Sequence, residues 1–149
     1  MIREATTRDA AILARLRYEF RASFGKVEEA EAEFLPRCER WIAGRLVAGG
    51  NWSAWLAEIE GAGAGTIWLQ WIEKIPNPVA ELEWHGYITN LYVRESHRGK
   101  QLGTELLGSA LAACRTRGVD AVILWPTPRS RTLYTRHGFT VSEDVMQRR

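Results

Sequence analysis

The segment Ser96-His-Arg-Gly-Lys-Gln-Leu-Gly-Thr-Glu-Leu-Leu107 sets two cations, Arg98 and Lys100, and two glycines, Gly99 and Gly103, at the head of an apolar-striped helical pattern. A helix that starts after a strand and a glycine turn has its first amides unpaired, at the positive end of its dipole. That end can hold a phosphate, because glycine lets a bulky anion reach the backbone and the cations add charge. The same residues also suit an ordinary solvated helix start, and from spacing alone both readings stand. The GxxxxGK[ST] spacing and the GxGxxG dinucleotide fingerprint are both absent. A nucleotide-binding reading at this helix end would also need a metal-binding aspartate and a lysine at the right offset, and it ranks last.

The elements that position this segment follow from periodicity. Thr6 and Asp9 frame a capping box, and a helix with Ile12, Leu13, Leu16, Phe20 and Phe24 on its buried face follows, with Arg15, Arg17 and Arg21 turned outward and Gly25 as its stop. A second helix carries Phe34, Leu35, Cys38, Trp41, Ile42 and Leu46 inward and runs to Gly49-Gly50, with Pro36 in its first turn or at a kink. Residues 55–60 and 66–72 then read as a hairpin around the turn Gly61-Ala-Gly-Ala-Gly65, and His85 to Val93 as a strand apolar on both faces. After the opening segment, Leu102, Leu106, Leu107, Ala110, Leu111 and Cys114 form a helical stripe ended by Gly118. Ala121 to Trp125 is a short buried strand, Ser130 to His137 a short helix, and Phe139 to Val141 a closing strand. A strand, helix, strand order implies a parallel pairing inside an otherwise antiparallel sheet.

Composition limits what such a domain does. A chain of 149 residues with 46% hydrophobic content and seven tryptophans suits a single domain, residues 1–149, with a sizeable core. The net charge of +2 gives no overall field toward nucleic acid or anionic membrane, so any anion site is local. Cys38 and Cys114 lack metal or redox spacing and read as buried, reduced thiols. There is no apolar signal core and no run near the roughly 20 residues of a membrane span, which points to the cytoplasm. Neither a metal-ligand constellation nor a Ser/His/Asp arrangement is visible.

The run from Tyr87 to Leu107 resembles the signature of the GCN5-related N-acetyltransferases, whose acyl-CoA loop reads [RQ]xxGx[GA] after a strand. Ile2-Arg3 with Asp9-Ala10 is similar to the family's first strand and helix, and Leu133-Tyr134 with Gly138-Phe139 to its terminal lYxxxGF element. The resemblance implies an α+β acyl-CoA N-acyltransferase fold that uses acetyl-CoA as cosubstrate. It implies that Arg98, Gly99, Lys100, Gln101, Leu102, Gly103 and Thr104 wrap the pyrophosphate, mainly by backbone amides. It also implies that Leu91, Tyr92 and Val93 splay from the parallel strand near Trp125 and pair with the pantetheine arm. Tyr134 matches the tyrosine that can protonate the departing thiolate. The expected reaction is direct attack by a primary amine of a small molecule or peptide in a ternary complex; a non-catalytic acyl-CoA-binding or regulatory module is the alternative. The resemblance leaves a homodimer open.

This chain departs from the family pattern at three positions. Gln101 stands where glycine is usual, Thr89 aligns where many relatives carry an acidic residue, and Thr127 stands where asparagine is common. Without a carboxylate at Thr89, the proton of the amine falls to another group: Glu81, Glu83 and His85, through water, are the candidates, although solvated side chains at a strand end explain each more simply. Arg129, Arg131 and Arg136 could attract an anionic acceptor or the CoA 3′-phosphate, although a solvated basic face explains them more simply; His137 reads as a helix-end residue without a role, and most tryptophans as core. Alternation puts Trp68 and Trp71 on opposite faces of their strand, so at most one lines a given pocket.

Overall fold

The computed structural model describes every residue from Met1 to Arg149. After β1 (Ile2–Glu4), the capping box forms as expected: the Asp9 carboxylate accepts from the Thr6 amide at 2.8 Å, and the Thr6 hydroxyl accepts from the Arg8 amide at 3.3 Å. A single 3-10 turn then leads into α1 (Ala10–Ala22). Asp9 also takes two bonds from the Arg3 guanidinium, at 2.7 and 2.9 Å, which hold its carboxyl below the usual range and tie α1 to the first strand.

Two expectations for α1 are corrected. Phe24 is 50% exposed, because the helix ends at Ala22 and the next amides close turns onto Glu19, Arg21 and Ala22. Arg17 does not point outward: it is half-buried and donates to Asn90 Oδ1 at 2.8 Å. It lies one helical turn beyond Leu13 and one before Phe20, and so on the apolar stripe itself.

The second helix, α2 (Glu31–Arg45), has Pro36 in its second turn and stops short of Gly49-Gly50. Ile42 is its one fully buried side chain, and Trp41 stays 41% exposed while stacking edge-on against Trp52, ring centroids 5.3 Å apart.

The hairpin pairs β2 (Trp52–Ile59) with β3 (Ala62–Glu73), and its turn is tighter than the glycine run implied. Only Glu60 and Gly61 turn, both at positive φ (51° and 77°), as a two-residue hairpin loop requires. Residues 62–65 are already strand, and the glycines there serve close packing: a Cβ on Gly63 would come within 2.5 Å of Ile12 on α1.

The sheet continues through β4 (Trp84–Val93) to β5 (Ala121–Leu124), in the order β1-β2-β3-β4-β5, with β4 and β5 alone parallel. Between them, α3 (Leu102–Arg117) packs Leu106, Leu107, Ala110 and Cys114 against Leu69, Trp71 and Ile88 on one face. On the other face α1 and α2 cover Ala54, Leu56, Trp68 and Tyr92, so Trp68 and Trp71 do lie on opposite sides. No helix is long and apolar enough to cross a membrane.

After α4 (Arg131–Arg136), the expected closing strand at Phe139 to Val141 does not form. The Phe139 amide is committed to the Tyr134 carbonyl at 3.1 Å, and its ring stacks on Tyr134 at 5.6 Å. The segment ends the helix instead of extending the ladder, and β5 remains an edge.

Candidate functional site

Two features open the sheet at one place. Parallel pairing of β4 with β5 ends at Ile88 and Leu124, where Trp125 gives way to Pro126 and Pro128, which have no amide to donate. On its other side β4 bulges: Thr89 pairs with Trp68 and Tyr92 with Thr66, so Asn90 and Leu91 together oppose Ile67. Asn90 sits at φ 53°, a conformation that asparagine tolerates better than most residues. The bulge redirects the side chains of β4 and leaves its edge from Thr89 to Val93 free of β5.

At that opening lies a cleft of about 640 Å³. Of the expected cofactor residues, Leu91, Tyr92, Val93, Arg98, Gly99, Gln101, Leu102, Gly103 and Thr104 all line it; Lys100 is exposed and stands outside its wall. The first amide bond of α3 runs from Glu105 to the Gln101 carbonyl at 3.0 Å, and Gln101 places no side-chain cap on the helix. The amides of Leu102, Gly103 and Thr104 therefore face the cleft uncapped. A Cβ on Gly103 would meet only Leu133, at an ordinary 3.7 Å, so this position is small without being crowded.

The lining contains Arg98, Arg129, Arg136, His97 and His137 and no carboxylate. Arg129 and Arg136 thus belong to the cleft rather than to a merely solvated face; Arg131 turns to a separate groove along β5. His97 Nδ1 is buried without a partner, while His137 Nδ1 lies 2.8 Å from the Leu133 carbonyl, the helix-end contact expected of it. Free amides, three guanidinium groups and an orphaned imidazole nitrogen fit a polyanion such as the phosphates of an acyl-CoA.

Gln101 adopts φ 62°, ψ 13°, left-handed and exposed, which accounts for the glycine more usual there. Its side chain is exposed, so Gln101→Gly relieves the strain and is expected to raise stability by about 0.5–1 kcal/mol, or about 1–4 °C in thermal midpoint. A lower midpoint in a calorimetric scan would contradict that account. Thr127 holds the turn that leads into α4: its hydroxyl accepts from the Ser130 amide at 3.2 Å and lies 2.8 Å from Ser130 Oγ.

Tyr134 is placed differently from the cofactor residues. It is 7% exposed, packs in the core beneath α3 and lines the β5 groove, although its neighbour Leu133 lines the cleft. Burial pushes its phenol up to about 12.

A second cleft, of about 570 Å³, opens on the α1 and α2 side of β4. Its walls are Phe34, Trp41, Trp52, Trp68 and Tyr87, with Arg17, Arg37, Thr89 and Asn90 as the polar groups and again no carboxylate. Only Trp68 of the pair Trp68 and Trp71 enters it, as alternation requires. Cys38 is half-buried in this wall, and burial raises its thiol; Cys114 is buried and pushed up to about 11, so both are free, unreactive thiols.

The general-base candidates line neither cleft. Glu81 is exposed and held by Lys74 and Asn77, with its carboxyl lowered first by Asn77 and then by Lys74; Glu83 is exposed; and His85 lies at the far end of β4, opposite Ile72 and Ala121.

The fold recurs in solved structures. A predicted acetyltransferase with acetyl-CoA from Clostridium acetobutylicum matches 100% of this chain and 95% of its own, at TM-score 0.84 and 21% identity. A GCN5-related N-acetyltransferase from Ralstonia eutropha JMP134 matches 99% and 97%, at TM-score 0.81 and 29% identity. Glucosamine-6-phosphate N-acetyltransferase from Arabidopsis thaliana matches 100% and 97%, at TM-score 0.71 and 21% identity. No curated protein sequence matches. The model of the Acetyltransferase (GNAT) family covers residues 13–139, from α1 through the cleft to Phe139, and the chain belongs to that family.

Proposed function

We propose that this protein transfers the acetyl group of acetyl-CoA, the cosubstrate of its family, to a primary amine of a small molecule or peptide, by direct attack with both substrates bound. The observation that carries this reading is the adjacency of the two clefts. On β4, residues 87, 89 and 90 line the aromatic cleft and residues 91–93 the cationic one; on α1, Arg17 lines the first and Phe20 the second. A ligand in each meets the other at the Asn90 bulge, where proximity converts a two-body reaction into one step.

Bound acetyl-CoA supplies a thioester, and the chain's own residues position it. The α3 amides with Arg98 hold its phosphates, and Arg129 and Arg136 add charge at the rim. The open edge of β4 offers backbone amides to the acyl arm and to the negative charge that develops on the carbonyl oxygen. Tyr134 packs in the core, but its hydroxyl lies beside Ser130, which lines the cofactor cleft, and from there the protonated phenol is assigned the hydrogen bond to the leaving sulfur. No carboxylate stands in either cleft to take the amine's proton, so it leaves to solvent, and the guanidinium of Arg17 disfavours the ammonium form.

The absence of a carboxylate also favours the second reading, a non-catalytic acyl-CoA-binding module. Calorimetric titration of acetyl-CoA and CoA, followed by thiol release over a panel of amines, separates the two. Micromolar binding with thiol release supports the transferase, binding without release from any amine supports the module, and no binding by folded protein removes both.

A further inference from the structure

The aromatic cleft contains a charge that nothing neutralises. Arg17 is half-buried there, its guanidinium lowered by desolvation and then by Arg21, and it makes no ion pair. Its one bond runs from Nη1 to Asn90 Oδ1 at 2.8 Å. The other cation in the wall, Arg37, differs: it is exposed at the rim and engaged by Glu29 through both guanidinium nitrogens that face it.

Asn90 adds a second unmet demand. It is 8% exposed, and its Nδ2 is buried with no hydrogen-bond partner. Because a guanidinium only donates, Arg17 fixes Asn90 with Oδ1 toward itself, and Nδ2 is left as a donor. Arg17 thus keeps its Nε and Nη2 without an acceptor, and Asn90 its buried Nδ2, in a wall that also carries the rings of Trp41, Trp52, Trp68 and Tyr87. Leaving buried donors and a buried cation unpaired is costly, and a bound group with two acceptor oxygens and one negative charge answers both.

Resting on the acetyl-transfer reading, we infer that the acceptor is an amine that also carries a carboxylate, on an apolar skeleton of aromatic amino-acid size, with the carboxylate bidentate on Arg17 and bonded to Asn90 Nδ2. The same arrangement rejects polyamines and other polycations, since the cleft offers them no anion and two guanidinium groups. It also disfavours a phosphate dianion, whose second charge would stay buried without a counterion.

The tryptophans of the cleft report occupancy directly, so binding is measurable without turnover. Intrinsic fluorescence titrations are expected to show L-phenylalanine binding about 10-fold or more tightly than phenethylamine, with spermidine and O-phosphoethanolamine weaker still. Arg17→Met is expected to erase the preference for phenylalanine over phenethylamine, and Arg17→Lys to keep part of it, while acetyl-CoA affinity stays unchanged in both. Arg17→Met removes an unpaired charge but also the donor to buried Asn90 Oδ1, so its midpoint is expected to fall modestly while it stays folded at the assay temperature, and Arg17→Lys, which can keep a donor there, is the control for folding. Equal binding of phenylalanine and phenethylamine, tighter binding of spermidine or phosphoethanolamine, or no binding of any of the four overturns the inference. Loss of acetyl-CoA binding by the wild type would instead strike the acetyl-transfer reading, and calorimetry on the same samples reads it separately.

Discussion

Gly103→Glu is expected to lower acetyl-CoA affinity by about 100-fold or more while leaving the thermal midpoint close to that of the wild type. The substitution is gentle to the apo fold. Gly103 is inside α3 with helical backbone, a Cβ there touches only Leu133 at 3.7 Å, and glutamate is a better helix former than glycine near a helix start. For the ligand it is severe. The new side chain projects from the turn whose amides at Leu102, Gly103 and Thr104 are uncapped, and its charge opposes that of the phosphates. A midpoint preserved with binding lost, measured by calorimetry on the same preparation, ties the cofactor site to this helix end. Unchanged affinity would place the phosphates elsewhere in the cleft, against Arg129 and Arg136, and would remove the assignment of the α3 amides.

That helix end was legible in the sequence because it is local. Strand, glycine turn, cation and apolar stripe lie within about twenty consecutive residues, each element being set by short-range propensity. Arg17 was legible as well and was misread by residue type: charge argued for solvent, while its position four residues after Leu13 and three before Phe20 argued for the buried stripe, and position won. Asn90 also left a signal, as a residue disfavoured in strands placed in the middle of one, and the bulge is its meaning. The end of the chain was not legible. Phe139 to Val141 has strand composition, and only the tertiary contact with Tyr134, with the amide bond that accompanies it, decides that β5 stays an edge. Nor could spacing show that Leu133 would face the cleft while Tyr134 faces the core.

Tyr134→Phe is the sharper test of chemistry. It is expected to lower kcat by about 10- to 100-fold and to change acetyl-CoA affinity by less than about twofold. The ring's contact with Phe139 and its place beneath α3 survive the substitution, so a loss of rate reports the hydroxyl. Burial raises the phenol to about 12, which fixes both the role and its pH signature. A phenol that weakly acidic does not hand its proton outright to an alkyl thiolate, whose conjugate acid is the stronger acid; it stabilises the departing sulfur as a hydrogen-bond donor, and the proton that the amine sheds completes the balance. The donor therefore persists across the working range, and the rate should rise with pH as the amine deprotonates, with no alkaline decline from Tyr134 below about pH 11. Stability carries the same sign. A phenol favoured in its neutral form by the fold contributes stability that is complete below about pH 10 and fades as pH climbs toward 12, so the wild type should lose more midpoint than Tyr134→Phe between pH 9 and about pH 11. If Tyr134→Phe keeps full kcat, the tyrosine belongs to the core alone, and the departing sulfur takes its hydrogen bond from another donor or from water.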